Sequence, residues 1–382
     1  MNFQNDSGFP ATVARAQLLY RDLMLATVIV KASFDVDPSG QVRPVPAEHQ
    51  LPVSESDQAT ALGTIDGDFV PLKPGCDVAF LGHARSPWAN VPVQRVDVDI
   101  RVGTLRRSLV VFGDRIWVAT GTGPQATAPV PFTALPLTYD RAFGGVALAV
   151  GKIEMTHPTN PGGRGLVCRS EHAAGTKLPN LEESDQLIGA WNQTPLVAGV
   201  APLPRGSSLR AENAYHIDAD NELVQLAPAA FSSAHPRMRI ARYPAGEQVV
   251  VHGMTHDRPW VAALPPAQFG LSLTLGDASY QLPLITDTLY VLPDYNRIVV
   301  VARRAIVYQI LPNRPRVLQV FAGTPPTPSE LGSIGQERRA HAPSVAFGPA
   351  ATPEAMPLPF DAMLALYPLT QVVESLPLCL ST

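Results

Sequence analysis

A chain of 382 residues with 46% apolar side chains holds enough material for a sizeable core and too much for a disordered polymer. Thirty-nine prolines, about twice the ordinary share of roughly 5%, leave little uninterrupted chain for long helices. A formal net charge of −4 supplies no basic footprint for nucleic acid, and no apolar run reaches the roughly 18 residues that insert into and span a membrane.

The N-terminal segment 1–19 lacks the positive and apolar regions of a secretory signal. Three cysteines, Cys76, Cys168 and Cys379, are odd in number and far apart, which argues against a disulfide framework. Both features point to a cytoplasmic protein.

Strand patterns then dominate. Val28, Val30, Ala32, Phe34 and Val36 alternate with Lys31, Ser33 and Asp35, broken once by Ile29. The turn Asp37-Pro38-Ser39-Gly40 leads into a second extended stretch from Gln41. Val96, Val98, Ile100 and Val102 alternate more cleanly with Asp97, Asp99 and Arg101, so one face is buried and the other wet. Gly103-Thr104 turns the chain into Leu105, Arg107, Leu109 and Val111, and Gly113-Asp114 turns it again into Ile116-Trp117-Val118, which predicts a three-strand meander.

Residues 120–235 are loop-heavy, with helical candidates around Glu182–Gly189 and Pro228–Ser232. Strand patterns return at Glu247–His252 and at Leu271, Leu273 and Leu275. There, Gly276-Asp277 turns the chain into Tyr280, Leu282 and Leu284. Ile298–Tyr308 is long and β-branched, the profile of a central strand. After Phe321, a Pro-rich stretch from Gly323 reads as a linker to a tail with one helix at Phe360–Tyr367 and another near Leu369–Leu376. These readings predict a mainly β fold, an antiparallel β-sandwich-like architecture with long loop insertions and a few short helices. They divide the chain into segment 1–19, a β-rich domain 20–321 of two packed units, and the tail 322–382.

Motifs for chemistry are weak. His252 and His256 have a spacing that on a helix offers two metal ligands, but Gly253 and the preceding valines mark a strand running into a turn. No Gly-x-Ser-x-Gly elbow prepares a nucleophile. Asn160-Pro-Gly-Gly-Arg-Gly165 lacks the Gly-Lys-Ser/Thr ending of a phosphate loop, and a tight multiple turn with positive φ explains it better. In the run from Thr138 to Gly145, Arg141 reads as a bidentate partner for a carboxylate, with Tyr139 and Phe143 packed beneath. Glu182 and Glu183 face no second acidic cluster at a glycosidase spacing. No cofactor site is expected.

Read in order, the runs Leu72–Ala84, Leu135–Gly145, Asn160–Gly165 and Leu178–Glu182 resemble the bacterial family catalogued as domain of unknown function two-one-six-nine. Gly246–Gly253, Leu264-Pro265, Asp287-Thr288 and Pro293-Asp294 extend the resemblance over roughly residues 20–310. Two positions depart from the family pattern: Asp140 stands where Glu is commoner, and Cys76 where Thr or another small residue is usual.

The resemblance implies a non-catalytic cytoplasmic adaptor or chaperone of type VI secretion. Such a protein holds a secreted effector, often one bearing a PAAR-type tip domain, and helps load it onto the VgrG spike. The family has no established catalytic residues to carry over. Two other classes stay open: a β-sandwich enzyme or carbohydrate-binding module, and a structural component of the secretion apparatus.

The motif residues put forward for partner binding are His83, Tyr139, Asp140, Arg141, Phe143, Gly144, Gly145, Asn160, Pro161, Gly163, Arg164, Gly165, Pro179, Asn180 and Glu182. Trp88, Trp191 and Trp260 join them as aromatics outside the strand pattern, because Trp is enriched at interface hot spots.

Overall fold

The β-branched runs build the longest pairing in the molecule. Leu23–Val36 lies antiparallel to Arg297–Gln309 along its whole length, from Asp35 opposite Arg297 to Leu23 opposite Gln309. The computed structural model describes residues 2–17, 23–149, 151–210, 215–217, 223–226, 228–275, 278–309 and 316–323, with the short strands Leu358–Pro359 and Thr370–Val372.

Around that pair an eight-stranded sheet runs in the order Ala11–Gln17, Leu23–Val36, Arg297–Gln309, Ile285–Leu292, Cys76–Phe80, Arg239–Ile240, with Val42–Pro44 and Thr370–Val372 attached to it. Ile298–Ala302 is buried on both faces, and so is Leu25–Phe34. Doubly covered strands carry near-continuous apolar runs rather than alternation. This is why Ile29 interrupts the pattern, and why Lys31 and Ser33 are buried too. The Lys31 ammonium is satisfied by the Asp68 carboxylate at 2.9 Å and by Gln58 at 3.2 Å.

A five-stranded sheet orders Leu181–Glu183, Leu105–Phe112, Arg95–Val102, Gln248–His252 and Trp260–Ala263. Here the alternation holds: Val96, Val98, Ile100 and Val102 are buried, and Arg95, Asp97, Asp99 and Arg101 are exposed. A four-stranded sheet joins Asn2–Asp6, Arg316–Ala322, Phe269–Leu275 and Ala278–Pro283. One cluster of buried apolar residues runs through all three sheets, including Ile29 and Val300, Val98 and Ile100, and Leu271 and Val320. Phe9 links two of them, its ring 5.6 Å from Phe34 and 5.7 Å from Phe269. The fold is mainly β and its pairings are mostly antiparallel.

Three local expectations are corrected. The third meander strand does not join the second: Trp117–Thr120 pairs with Gly123–Ala126. The free edge of Leu105–Phe112 is instead taken by Leu181–Glu183, which is therefore a strand and not the start of a helix. Pro228–Phe231 is helical, as one 3-10 turn. The tail helix Phe360–Tyr367 lies outside the described residues. The described part of the second, Thr370–Val372, is a strand parallel to Ile306–Tyr308. Among the described residues no helix is long and apolar enough to cross a membrane.

Candidate functional site

The three Gly-, Pro- and Asn-bearing runs fold into one knot, with Asn160 at its centre. Asn160 is fully buried, and its Nδ2 donates to the carbonyls of Tyr139 at 2.7 Å and Phe143 at 3.0 Å. Its own carbonyl accepts from the backbone N–H groups of Gly145 at 2.8 Å and Gly163 at 3.2 Å. Such a crossing leaves no room for side chains. A Cβ on Gly144, whose φ is +144°, would lie 2.3 Å from the Asn160 carbonyl oxygen, and one on Gly163 would lie 2.3 Å from Asn160 Nδ2. Phe143–Gly144 pairs in parallel with Arg164–Gly165, and Pro161 sits half-buried in the intervening turn. The Phe143 ring meets the His157 ring edge-on at 5.3 Å and closes a small cluster with Ala147 and Leu166. Tyr139 is buried against Gly199, where any Cβ would strike its ring.

Asn180 is the second buried amide. Its Nδ2 donates to the Phe112 carbonyl and to Asp114 Oδ1, each at 3.0 Å. Its Oδ1 accepts from Arg141 Nη1 at 3.1 Å and Arg164 Nη1 at 3.3 Å. Arg141 therefore grips an amide, and the nearest carboxylate to it, Asp114, is 3.9 Å away. The bidentate carboxylate pairing expected for Arg141 is not made, because Asn180 fills that place. Arg164 donates from Nε to the Asp140 carbonyl at 2.8 Å, and the short, exposed Asp140 side chain meets it only at 3.4 Å. Burial, with Arg141 alongside, pulls the Arg164 pKa below its ordinary value.

Glu182 and Glu183, adjacent in a strand, are both buried and both ion-paired. Glu183 receives the Arg107 guanidinium in a two-point contact, with Arg237 Nη1 at 3.3 Å. Glu182 receives Arg115, which also donates to the Pro179 carbonyl at 2.8 Å and lies over the Phe112 ring at 4.1 Å. The second Glu182 oxygen accepts from the Ile188 N–H at 2.8 Å. These carboxylates have the partners that buried charge requires, so they hold loops in place.

Other candidates scatter. His83 Nδ1 is 2.6 Å from Asp294, whose other oxygen accepts from Arg85 Nε at 2.9 Å. Burial alone would raise the Asp294 pKa, but these bonds outweigh it and hold the carboxyl below its usual range. Trp88 is 59% exposed. Trp191 is half-buried against the small cluster of Trp117, Ala173 and Leu178. Trp260 is a core residue and not a surface one: its strand pairs with Gln248–His252, and its ring N–H donates to Asn296 Oδ1 at 3.1 Å.

Sequence reasoning missed the ribbon that the knot carries. Val146–Ala149 and Lys152–Thr156 form a two-stranded hairpin between the first two motif runs. A register shift falls between Ala147 and Leu148, so Val146 faces Thr156 and Leu148 faces Ile153. Cross-strand partners share a face. Ala147 turns inward to Phe143 and Leu166, so Val146, Leu148 and Ile153 turn outward, 41%, 56% and 68% exposed. The signal was there to read: two short apolar runs around Gly151, whose φ is +75°.

Residues 22–303 match the model of the bacterial family described as "Uncharacterized protein conserved in bacteria (DUF2169)". No curated protein and no solved structure matches the chain.

Proposed function

This chain belongs to that bacterial family, and we propose that it is a non-catalytic cytoplasmic adaptor or chaperone of type VI secretion. It binds a secreted effector, PAAR-linked or similar, and promotes its loading onto the VgrG spike. The observation that carries this reading is an exposed apolar ribbon raised on a tightly bonded loop platform. A short strand with exposed apolar side chains can take up an extended segment of another protein through main-chain hydrogen bonds.

A loader stabilises its client by mass action, since any ligand selective for the folded form does so. It must also release that client, which favours dissociation constants of roughly micromolar to nanomolar over the irreversible limit. The test is co-expression with a candidate type VI effector and a VgrG protein. Deleting this chain is expected to cost the effector its solubility and its association with the spike. Unchanged solubility and spike association would defeat the proposal.

A further inference from the structure

Among the described residues neither Val146–Ala149 nor Lys152–Thr156 pairs with a third strand. Isolated hairpins are marginal in water, and an open edge presents a row of unpaired N–H and C=O groups. The two edges differ. Val146–Ala149 leans on the platform through the buried Ala147, whereas Lys152–Thr156 is exposed at every residue. The accessible edge is therefore Lys152–Thr156.

Its charges are unequal in their surroundings. Arg169 holds the Glu154 carboxylate through Nε at 2.8 Å and Nη2 at 2.7 Å. Lys152 has no carboxylate partner among the described residues. The edge thus offers apolar contact from Ile153 on its outward face and one uncompensated ammonium.

Area decides what can sit there. Five residues by two strands make a face about 17 Å by 10 Å, roughly 170 Å². A stable interface between two folded proteins needs about 800 Å² from each. A second copy of this chain would be held too weakly by this face alone. An added strand needs less area, because main-chain hydrogen bonds supply much of its affinity.

We infer that Lys152–Thr156 receives an extended apolar segment of the client as a third strand, with an acidic side chain of that segment set against Lys152. This deepens the adaptor reading and rests on it for the client's being a polypeptide. The strand geometry itself rests on the ribbon.

The probe is a short fluorescent peptide alternating Val and Thr around one central Asp, titrated against the full chain by anisotropy. Binding is expected to weaken about tenfold or more in Ile153→Asp and in Lys152→Glu. A second probe with Lys in place of Asp is expected to bind Lys152→Glu better than the unaltered protein. Equal binding by Ile153→Asp, or no binding by the unaltered chain, overturns the strand seat. Failure of the charge exchange overturns the acidic partner. A dimer in sedimentation that Ile153→Asp dissociates makes the occupant a second copy and overturns the proposal.

Co-purification with the effector separates the strand seat from the adaptor role. If Ile153→Asp still co-purifies with the effector, the ribbon is not its seat and the adaptor role stands. If the unaltered chain holds no effector, the adaptor role itself fails.

Discussion

Two neighbouring regions solve opposite problems. The knot of residues 139–145, 160–165 and 178–183 buries polar groups that tie its loops: Asn160 Nδ2 bonds two carbonyls, Asn180 bonds two arginines, and Glu182 and Glu183 each bond an arginine. Asn160 Oδ1 and the Tyr139 hydroxyl are buried without a hydrogen-bond partner among the described residues. The ribbon of Val146–Ala149 and Lys152–Thr156 leaves the knot and returns to it, yet exposes Leu148 and Ile153 and, among the described residues, leaves an edge unpaired. In the knot the cost of disorder is desolvated charge without a partner. In the ribbon apolar surface stays in water until something covers it. The Gly-, Pro- and Asn-bearing runs therefore build the support, and the exposed ribbon lies between the first two of them.

The sharpest way to break this contrast is to remove one partner of a buried pair. Glu183→Ala strands the buried Arg107 guanidinium and is expected to cost about 3–5 kcal/mol in urea unfolding. A loss near zero would mean the pair is not buried in solution. Asn160→Ala unties two carbonyls in the knot and is expected to cost about 2 kcal/mol or more by the same measurement.

Acidity sharpens the platform side further. Burial, then the nearby Arg107, Arg237 and Arg239, pull the His235 pKa down to about 3. Its Nδ1 instead accepts from the Arg237 N–H at 3.1 Å. Unfolded histidine takes up a proton near pH 6.5. The stability from keeping His235 neutral is thus complete above about pH 6.5 and declines as pH falls toward about 3. His235→Asn keeps an acceptor and is expected to flatten the decline between about pH 6.5 and 4. An unaltered slope would show that His235 is not the group responsible.

The smallest expected effect belongs to the ribbon. Ile153→Thr is expected to change stability by no more than about 0.5 kcal/mol, as solvent-facing substitutions usually do. A loss as large as that of Asn160→Ala would place Ile153 in a core and erase the distinction between the regions.

Much of the fold was legible wherever one face of a strand is wet. The alternation of Arg95–Val102 and the turn at Asp37–Gly40 were read correctly from local chemistry, as was the pairing of Phe269–Leu275 with Ala278–Pro283. Long-range competition for sheet edges was not legible. Nothing near Ile116 says that Leu181–Glu183 will take the edge beside Leu109–Val111. Nor does the aromatic character of Trp260 reveal that a neighbouring strand turns it into the core. At the site, the tight turn read at Asn160–Gly163 is present, whereas Gly144 and Gly165 lie in a short parallel strand pair and hold positive φ there. The ribbon between them was passed over because its strands are short and lie within a loop-rich stretch. A pattern of side chains indicates a strand, but whether its far side finds a partner depends on the rest of the chain.

A knot that is a fixed support and a ribbon that awaits a strand differ in how their amides exchange with solvent. Hydrogen–deuterium exchange on the full chain, alone and with the Asp-bearing peptide, tests this difference most directly. Slow exchange is expected in the knot in both states, and fast exchange at residues 152–156 that slows when the peptide is present. Amides at 152–156 that are already slow in the free chain, or a peptide that slows the knot and leaves the ribbon unchanged, would contradict this difference.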